Sequence, residues 1–445
     1  MRKAAIKRRG FVIKVSRGLM RGAAQHYQRQ LDPRIVRRME WLVLAILLAG
    51  TVRLNVLVQT LPYGTAGSVK TAETALSVFL AEAHYSAHIL FARFRDEVLC
   101  SLPGEALLRH QGKAIVIVDA TDYAKRSRKG KQGKQMQYTQ KVRASKRKPN
   151  RYTKPPLSPG YVDIWGGVLL RGQHVVPLAR QLSSSAHPKF ASQNLLEEAV
   201  IWPCLATFAW QAILIADRGF RRKALLVKLL VRQVTFVIRL AANINVYYNG
   251  TWRNIIETAR TLKPLGPITW KEGKAHARPC EGVAFRARLR DAPEEDDPTQ
   301  PNPELNLVVL FPRVGDRDPL ILATPLPIES LAHLRDIVKL YEYRWAIETM
   351  FENLKRDLHM DEFMVRDWLA IERLLWATAM SYMVLIVMRL SERQEGQRCL
   401  KDILAVLREQ AVMGKGLTLG KIREALTLDY RDHRQDWLDL VQCVT

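Results

Sequence analysis

Three acids in this chain stand where metal-dependent chemistry would need them. Asp119 follows the continuous apolar run Ala114-Ile115-Val116-Ile117-Val118, and Asp217 follows Ala212-Ile213-Leu214-Ile215-Ala216. An α/β sheet presents catalytic groups at the carboxyl ends of its strands, where its edge opens into a crevice. The third acid, Glu348, lies on a stretch read as one long helix that also carries Tyr341, Arg344 and Lys355. At ~100° per residue these four fall within about 60° of one another, a polar stripe roughly 20 Å long. Three converging carboxylates would hold two hard divalent cations through oxygen ligands. Mg²⁺ suits such a site because it keeps several waters and accepts phosphate oxygens, and two ions can activate the attacking oxygen and stabilise the leaving one. Taken singly, each aspartate could equally cap a helix, and the stripe could be a solvated face with ordinary charge pairs.

The spacing Tyr341-x2-Arg344-x3-Glu348-x6-Lys355 resembles the YREK signature of insertion-sequence transposases of the IS4 family. Asp119 in Val-Asp-Ala-Thr and Asp217 in Asp-Arg-Gly-Phe are similar to the two preceding aspartates of that family's DDE triad, and Phe236-Val237-Ile238-Arg239-Leu240 is also similar. The resemblance spans about residues 110–390. It implies an RNase H-like catalytic core interrupted by a β-strand insertion. It also implies that Asp119, Asp217 and Glu348 bind two Mg²⁺ ions, for which Mn²⁺ can substitute, and that Tyr341, Arg344 and Lys355 bind phosphates at the cut DNA end. The chemistry agrees: Arg344 can grip a phosphate bidentately, Lys355 supplies a point charge and Tyr341 can donate one hydrogen bond. The implied activity is cleavage at the terminal inverted repeats of an insertion sequence and strand transfer into target DNA, by a homodimer across two ends. In this family a flipped base can stack on a tryptophan of the insertion. Trp252 and Trp270 are the candidates here, but no motif places either one, and ordinary burial is the better account of each.

The elements that must position these residues read as a mixed α/β sheet. Strands are expected at 114–118, 161–169, 174–178, 212–216 and 235–240, with helices at 194–210 and 221–232. Three strands in succession, then helix, strand, helix and strand, is the RNase H-like order. Short alternating runs follow, the clearest being Val283 to Arg290, whose period of two sets apolar residues inward and Arg286, Arg288 and Arg290 outward. Gly166-Gly167 reads as a bulge or a close approach. The expected organisation is a basic helical DNA-binding region at 1–109, core at 110–240, β insertion at 241–315, the closing part of the core with the Glu helix at 316–390, and a helical region at 391–445.

Composition points to the partner. The chain has 445 residues, 69 Lys+Arg against 43 Asp+Glu, a formal charge of +26, and 48% apolar residues. That excludes a disordered tail protein and calls for a polyanion, of which nucleic acid fits best because phosphate neutralisation releases counterions. Residues 1–40 hold twelve Lys/Arg against Asp32 and Glu40, and residues 1–31 read as a DNA-facing arm. Lys125 to Lys154 hold thirteen basic residues and no acid, so this segment reads as an arm or loop beside Asp119 in which Lys125, Arg126, Arg128 and Lys129 contact phosphates. The five cysteines are scattered singly, which excludes a zinc finger and fits a reducing cytosol; the resemblance implies a bacterial cytoplasm, with the protein on the nucleoid through DNA. The run Trp41–Gly50 is short of a membrane span, and no membrane partner is expected. A metal-dependent nuclease of the same fold and a catalytically inactive DNA-binding transposition inhibitor are the alternatives.

Overall fold

Ala114–Val118 are buried on both faces because strands flank them and helices cover them. The computed structural model describes residues 2–27, 31–63, 67–125, 136–140, 157–271, 273, 277–290, 302–314, 318–390 and 418–443. Among these, thirteen strands form one sheet: β1 (Arg109–His110), β2 (Lys113–Ala124), β3 (Gln137–Gln140), β4 (Leu157–Leu169), β5 (Val175–Ser183), β6 (Ala212–Ala216), β7 (Thr235–Arg239), β8 (Asn245–Tyr248), β9 (Thr251–Asn254), β10 (Gly266–Trp270), β11 (Arg278–Arg290), β12 (Glu304–Pro312) and β13 (Leu320–Thr324).

At its centre the long strands run β5-β4-β2-β6-β7. β2 pairs antiparallel with β4 and parallel with β6, and β6 pairs parallel with β7. Three antiparallel strands followed by two parallel ones is the RNase H-like order expected from the sequence. β13 then joins β7 antiparallel, and β12, β11, β8 and β9 follow outward. The strands within 241–315 therefore extend the core sheet instead of standing apart from it.

Helices α1 (Arg2–Gln25), α2 (Pro33–Ala49), α3 (Leu54–Thr60), α4 (Val69–Glu82) and α5 (Ala87–Ser101) precede the sheet. α6 (Gln193–Ala206) and α7 (Lys223–Val231) connect its parallel strands, and α8 (Ile255–Arg260) lies among the outer ones. α9 (Leu331–Glu342), α10 (Trp345–Arg356) and α11 (Trp368–Leu390) follow β13. Two further helices, Leu419–Asp432 and Arg434–Cys443, close the described chain.

α6 and α10 cover opposite faces of the central strands. Gly166 on β4 is the closest approach to α6: a Cβ there would run into Cys204 Sγ, and the β4–β5 register shifts between Gly166 and Gly167. On the other face Trp165 meets Phe351 of α10, ring centroids 6.4 Å apart. α11 packs against α2, α4 and α5. By length and composition it could cross a membrane, as could the bent pairs α2 with α3 and α4 with α5, but 94% of its most apolar window is buried inside the fold. Its all-round apolar surface serves the core.

The basic N-terminus is not an extended arm over its described residues. α1 buries Phe11, Val12, Ile13, Leu19 and Met20, and Arg9, 2% exposed, pairs with Asp429 and Asp436 of the two last helices. An apolar stripe spaced three and four residues apart outweighs the charge on its outer side.

Candidate active site

β2 does not stop at Asp119, as the sequence suggested, but continues to Ala124. The residues after Asp119 alternate in burial, with Thr121 and Tyr123 inward, so the period-two pattern carries the strand on. Asp119, Thr121 and Tyr123 therefore share one face of β2, the face toward α10, and Lys125 lies just past the end of the strand. Asp119 caps no helix; its Oδ1 accepts from the Ala120 N–H at 2.8 Å. Asp217 follows β6 and opens the short turn Arg218–Phe220, where its side chain makes no capping hydrogen bond. It accepts instead from the Tyr341 hydroxyl at 3.0 Å, with Arg239 Nη1 4.0 Å away.

The expected single helix from Tyr341 to Lys355 is two helices. α9 ends at Glu342 and α10 begins at Trp345. Across the junction the backbone bonds tighten to three-residue spacing: Tyr343 N–H to Leu340 O at 3.2 Å, Arg344 N–H to Tyr341 O at 3.0 Å and Ala346 N–H to Tyr343 O at 3.0 Å. Trp345 opens α10 just past the junction. It packs on Gly273, which has φ 58°, where a Cβ would enter the indole ring. The four residues thus do not form one straight stripe: Tyr341 is in the last turn of α9, Arg344 is at the junction, and Glu348 and Lys355 are on α10.

At the junction Arg344 stands between two of the acids. Its Nη1 lies 2.7 Å from Asp119 Oδ2 and 2.8 Å from Glu348 Oε1. The guanidinium is buried over the Trp345 and Tyr341 rings, at 4.9 and 5.9 Å, and its Nε is buried without a partner. Burial works against its charge; Tyr341, Asp119, Glu348 and Asp217 outweigh that and hold it protonated. Burial pushes the Asp119 carboxyl up to about 6, against the pull of Arg344 and the Ala120 N–H and with the repulsion of Asp217 and Glu348. Burial and Asp217 likewise push the Tyr341 phenol up, so it stays a donor.

Lys355 closes the lower end of the site. Its ammonium donates to Thr121 Oγ1 at 2.6 Å and to the Asp122 carbonyl at 2.9 Å, and lies 5.5 Å from the centre of the Tyr123 ring. Lys125 sits further on, just past the end of the strand. It donates to the Asp361 and Phe363 carbonyls at 2.7 and 3.0 Å and lies against the Phe363 ring, while burial lowers its pKa to about 7. It is thus occupied in fastening β2 to the connection after α10. Arg126, Arg128 and Lys129 lie outside the described residues. Trp270 is buried, and Trp252 is half-buried with its ring 5.3 Å from that of Tyr247.

Three separate elements, β2, β6 and α10, bring Asp119, Asp217 and Glu348 to one place. A set of carboxylate oxygens is the donor chemistry of a hard divalent cation. Among the described residues no group of three or more His, Cys, Asp or Glu is closed in metal-holding geometry, and the Arg344 guanidinium carries the balancing positive charge between Asp119 and Glu348. The sequence placed Arg239 in a family-like run but gave it no role in the site, whereas the β6–β7 register of Ala216 with Ile238 sets the next residues, Asp217 and Arg239, side by side. It also missed Thr121 and Tyr123, for which the period-two pattern beyond Asp119 was the available signal.

Residues 178–384 match the family described as transposase DDE domain. That span includes Asp217, Tyr341, Arg344, Glu348 and Lys355. Asp119 precedes it and is joined to it by the β2–β6 pairing and by Arg344. No curated protein matches the chain. Among solved structures, a cryo-EM structure of a piggyBac transposase synaptic complex with hairpin DNA is similar at 9% identity and a TM-score of 0.42, covering 94% of this chain and 84% of that one. Over residues 178–384 the chain is thus similar to transposase DDE domains.

Proposed function

We propose that this protein is a transposase of the IS4 type that binds the terminal inverted repeats of its own insertion sequence, cleaves there and joins the ends to target DNA. The observation that carries the reading is the meeting of Asp119, Asp217 and Glu348, from three elements, around Arg344 and Tyr341. Asp119, Asp217 and Glu348 would hold two divalent cations, Mg²⁺ or in its place Mn²⁺. Such ions polarise phosphoryl oxygens and lower the pKa of bound water. The chain's own groups do the rest. Tyr341 fixes the Asp217 carboxylate, and Arg344, with donors to spare, can turn from the acids to a phosphate. Lys355 presents a point charge beside β2. The net charge of +26 suits long double-stranded DNA, and the active form would be a homodimer across two ends, working in a bacterial cytoplasm on the nucleoid.

The test is incubation of the full-length protein with supercoiled plasmid carrying the element's two ends, with Mg²⁺ or with EDTA. Joined products that need Mg²⁺ and vanish in Asp119→Asn would support the reading. Cutting without joining would move it to a metal-dependent nuclease of the same fold, and tight binding without cutting to an inactive DNA-binding inhibitor.

A further inference from the structure

A buried polar cluster that the proposed chemistry does not use lies behind Lys355. Asp163 on β4 is fully buried and stands opposite Thr121 in the β2–β4 register. Arg180 on β5, also buried, donates Nε to Asp163 Oδ2 at 3.0 Å and Nη2 to Oδ1 at 2.9 Å. The buried Tyr123 hydroxyl donates to the same Oδ2 at 2.9 Å. The guanidinium lies near the Trp165 and Trp376 rings, at 5.4 and 5.0 Å, which keeps it in one orientation.

A buried ion pair is poor value as a stabiliser, because well-packed apolar residues of like volume often do as well. What it does supply here is a fixed position. Tyr123 and Thr121 are successive residues on one face of β2, and both hold the Lys355 head, one under it with the ring and one through Oγ1. Asp163 pins the first by its hydroxyl and faces the second across the strand pair. Burial lowers the Lys355 pKa, and the carboxylates of Asp361, Asp122 and Asp163 oppose that.

We propose that Asp163, held by Arg180 and acting through Tyr123, is a positioning residue for Lys355: it sets where the ammonium stands when a DNA phosphate arrives. This rests on Lys355 being a ligand of the DNA end, as argued above. The chain of contacts runs from β5 through β4 and β2 to α10, so the aim of a residue on a helix is fixed from two strands away.

Two measurements on the full-length protein test it. In the first, the rate at which formaldehyde and cyanoborohydride methylate Lys355, read by mass spectrometry, is compared in wild type, Tyr123→Phe and Asp163→Asn without DNA. Loosening the lysine should raise that rate about fivefold, the worth of one hydrogen bond. In the second, binding of the element's own ends is measured for Tyr123→Phe in the wild-type and Lys355→Ala backgrounds. A loss of about fivefold in the first background and none in the second is the expected result. An unchanged methylation rate, or an equal loss in both backgrounds, overturns the proposal and leaves the cluster a structural one. Should Asp163→Asn fail to fold, Tyr123→Phe, which removes one oxygen and keeps the ring, carries both measurements. If the wild type binds no ends, the transposase reading fails, and the methylation rates still decide the positioning role.

Discussion

The Arg344 guanidinium stands 2.7 Å from the Asp119 carboxylate, although 225 positions of sequence separate them. The same nitrogen reaches Glu348, so one cation ties a central strand to the helix that carries the third acid. Arg344→Gln leaves two carboxylates facing each other in a mostly buried site. The metal-free protein should lose about 2 kcal/mol, less than the roughly 3–5 of a fully buried pair, because the Glu348 side chain is 34% exposed. Millimolar Mg²⁺ should restore part of the loss. A urea midpoint that does not move on substitution would show that these ion pairs contribute nothing to stability.

Asp119 makes the metal-free fold sensitive to pH. Its folded pKa of about 6 lies above the ordinary carboxyl value, so between that value and pH 6 the folded state binds the proton more tightly than the unfolded one. Stability should therefore fall as pH rises through this window, by at most about 3 kcal/mol. Asp119→Asn should remove the dependence, being more stable than wild type at pH 7.5 and close to it at pH 4.5, in urea titrations with EDTA. A variant less stable than wild type at pH 7.5 would show that the carboxylate is a net stabiliser there.

Glu348→Gln keeps the shape of α10 and one oxygen acceptor for Arg344. Binding of the DNA ends should stay within about twofold of wild type, while cleavage falls at least about a thousandfold, as expected when a ligand of the catalytic ions is lost. Gel shift and plasmid cleavage on one preparation check both. Cleavage surviving in the variant would remove Glu348 from the reaction.

Lys355→Ala should weaken the complex with paired ends about tenfold without changing Mn²⁺ affinity, since its contacts are to Thr121 and the Asp122 carbonyl and not to the acids. End-complex titration and Mn²⁺ binding by electron paramagnetic resonance separate the two effects. A drop in Mn²⁺ affinity would place the lysine in the metal site.

Much of this was legible beforehand. Ala212–Ala216 is a strand with the expected limits, and the apolar run before Asp119 lies in the strand expected there. The break between α9 and α10 was not legible. Tyr343 and Arg344 carry no helix-breaking residue, and the apolar spacing runs on through them. At this break Trp345 packs on Gly273, a contact between residues 72 positions apart that no local pattern encodes. Lys125 was read as a DNA contact from its charge; its occupation by the Asp361 and Phe363 carbonyls depends on where the connection after α10 falls.

Three residues of β2 on one face, Asp119, Thr121 and Tyr123, and Lys125 just past its end meet Arg344, Lys355, Met360 and the Asp361 and Phe363 carbonyls in turn. Such a ladder depends on counting as much as on chemistry. Deleting or inserting one residue between Ala120 and Ala124 would turn every later rung to the α6 side of the sheet. This stretch can therefore vary in side chain over evolutionary time far more readily than in length.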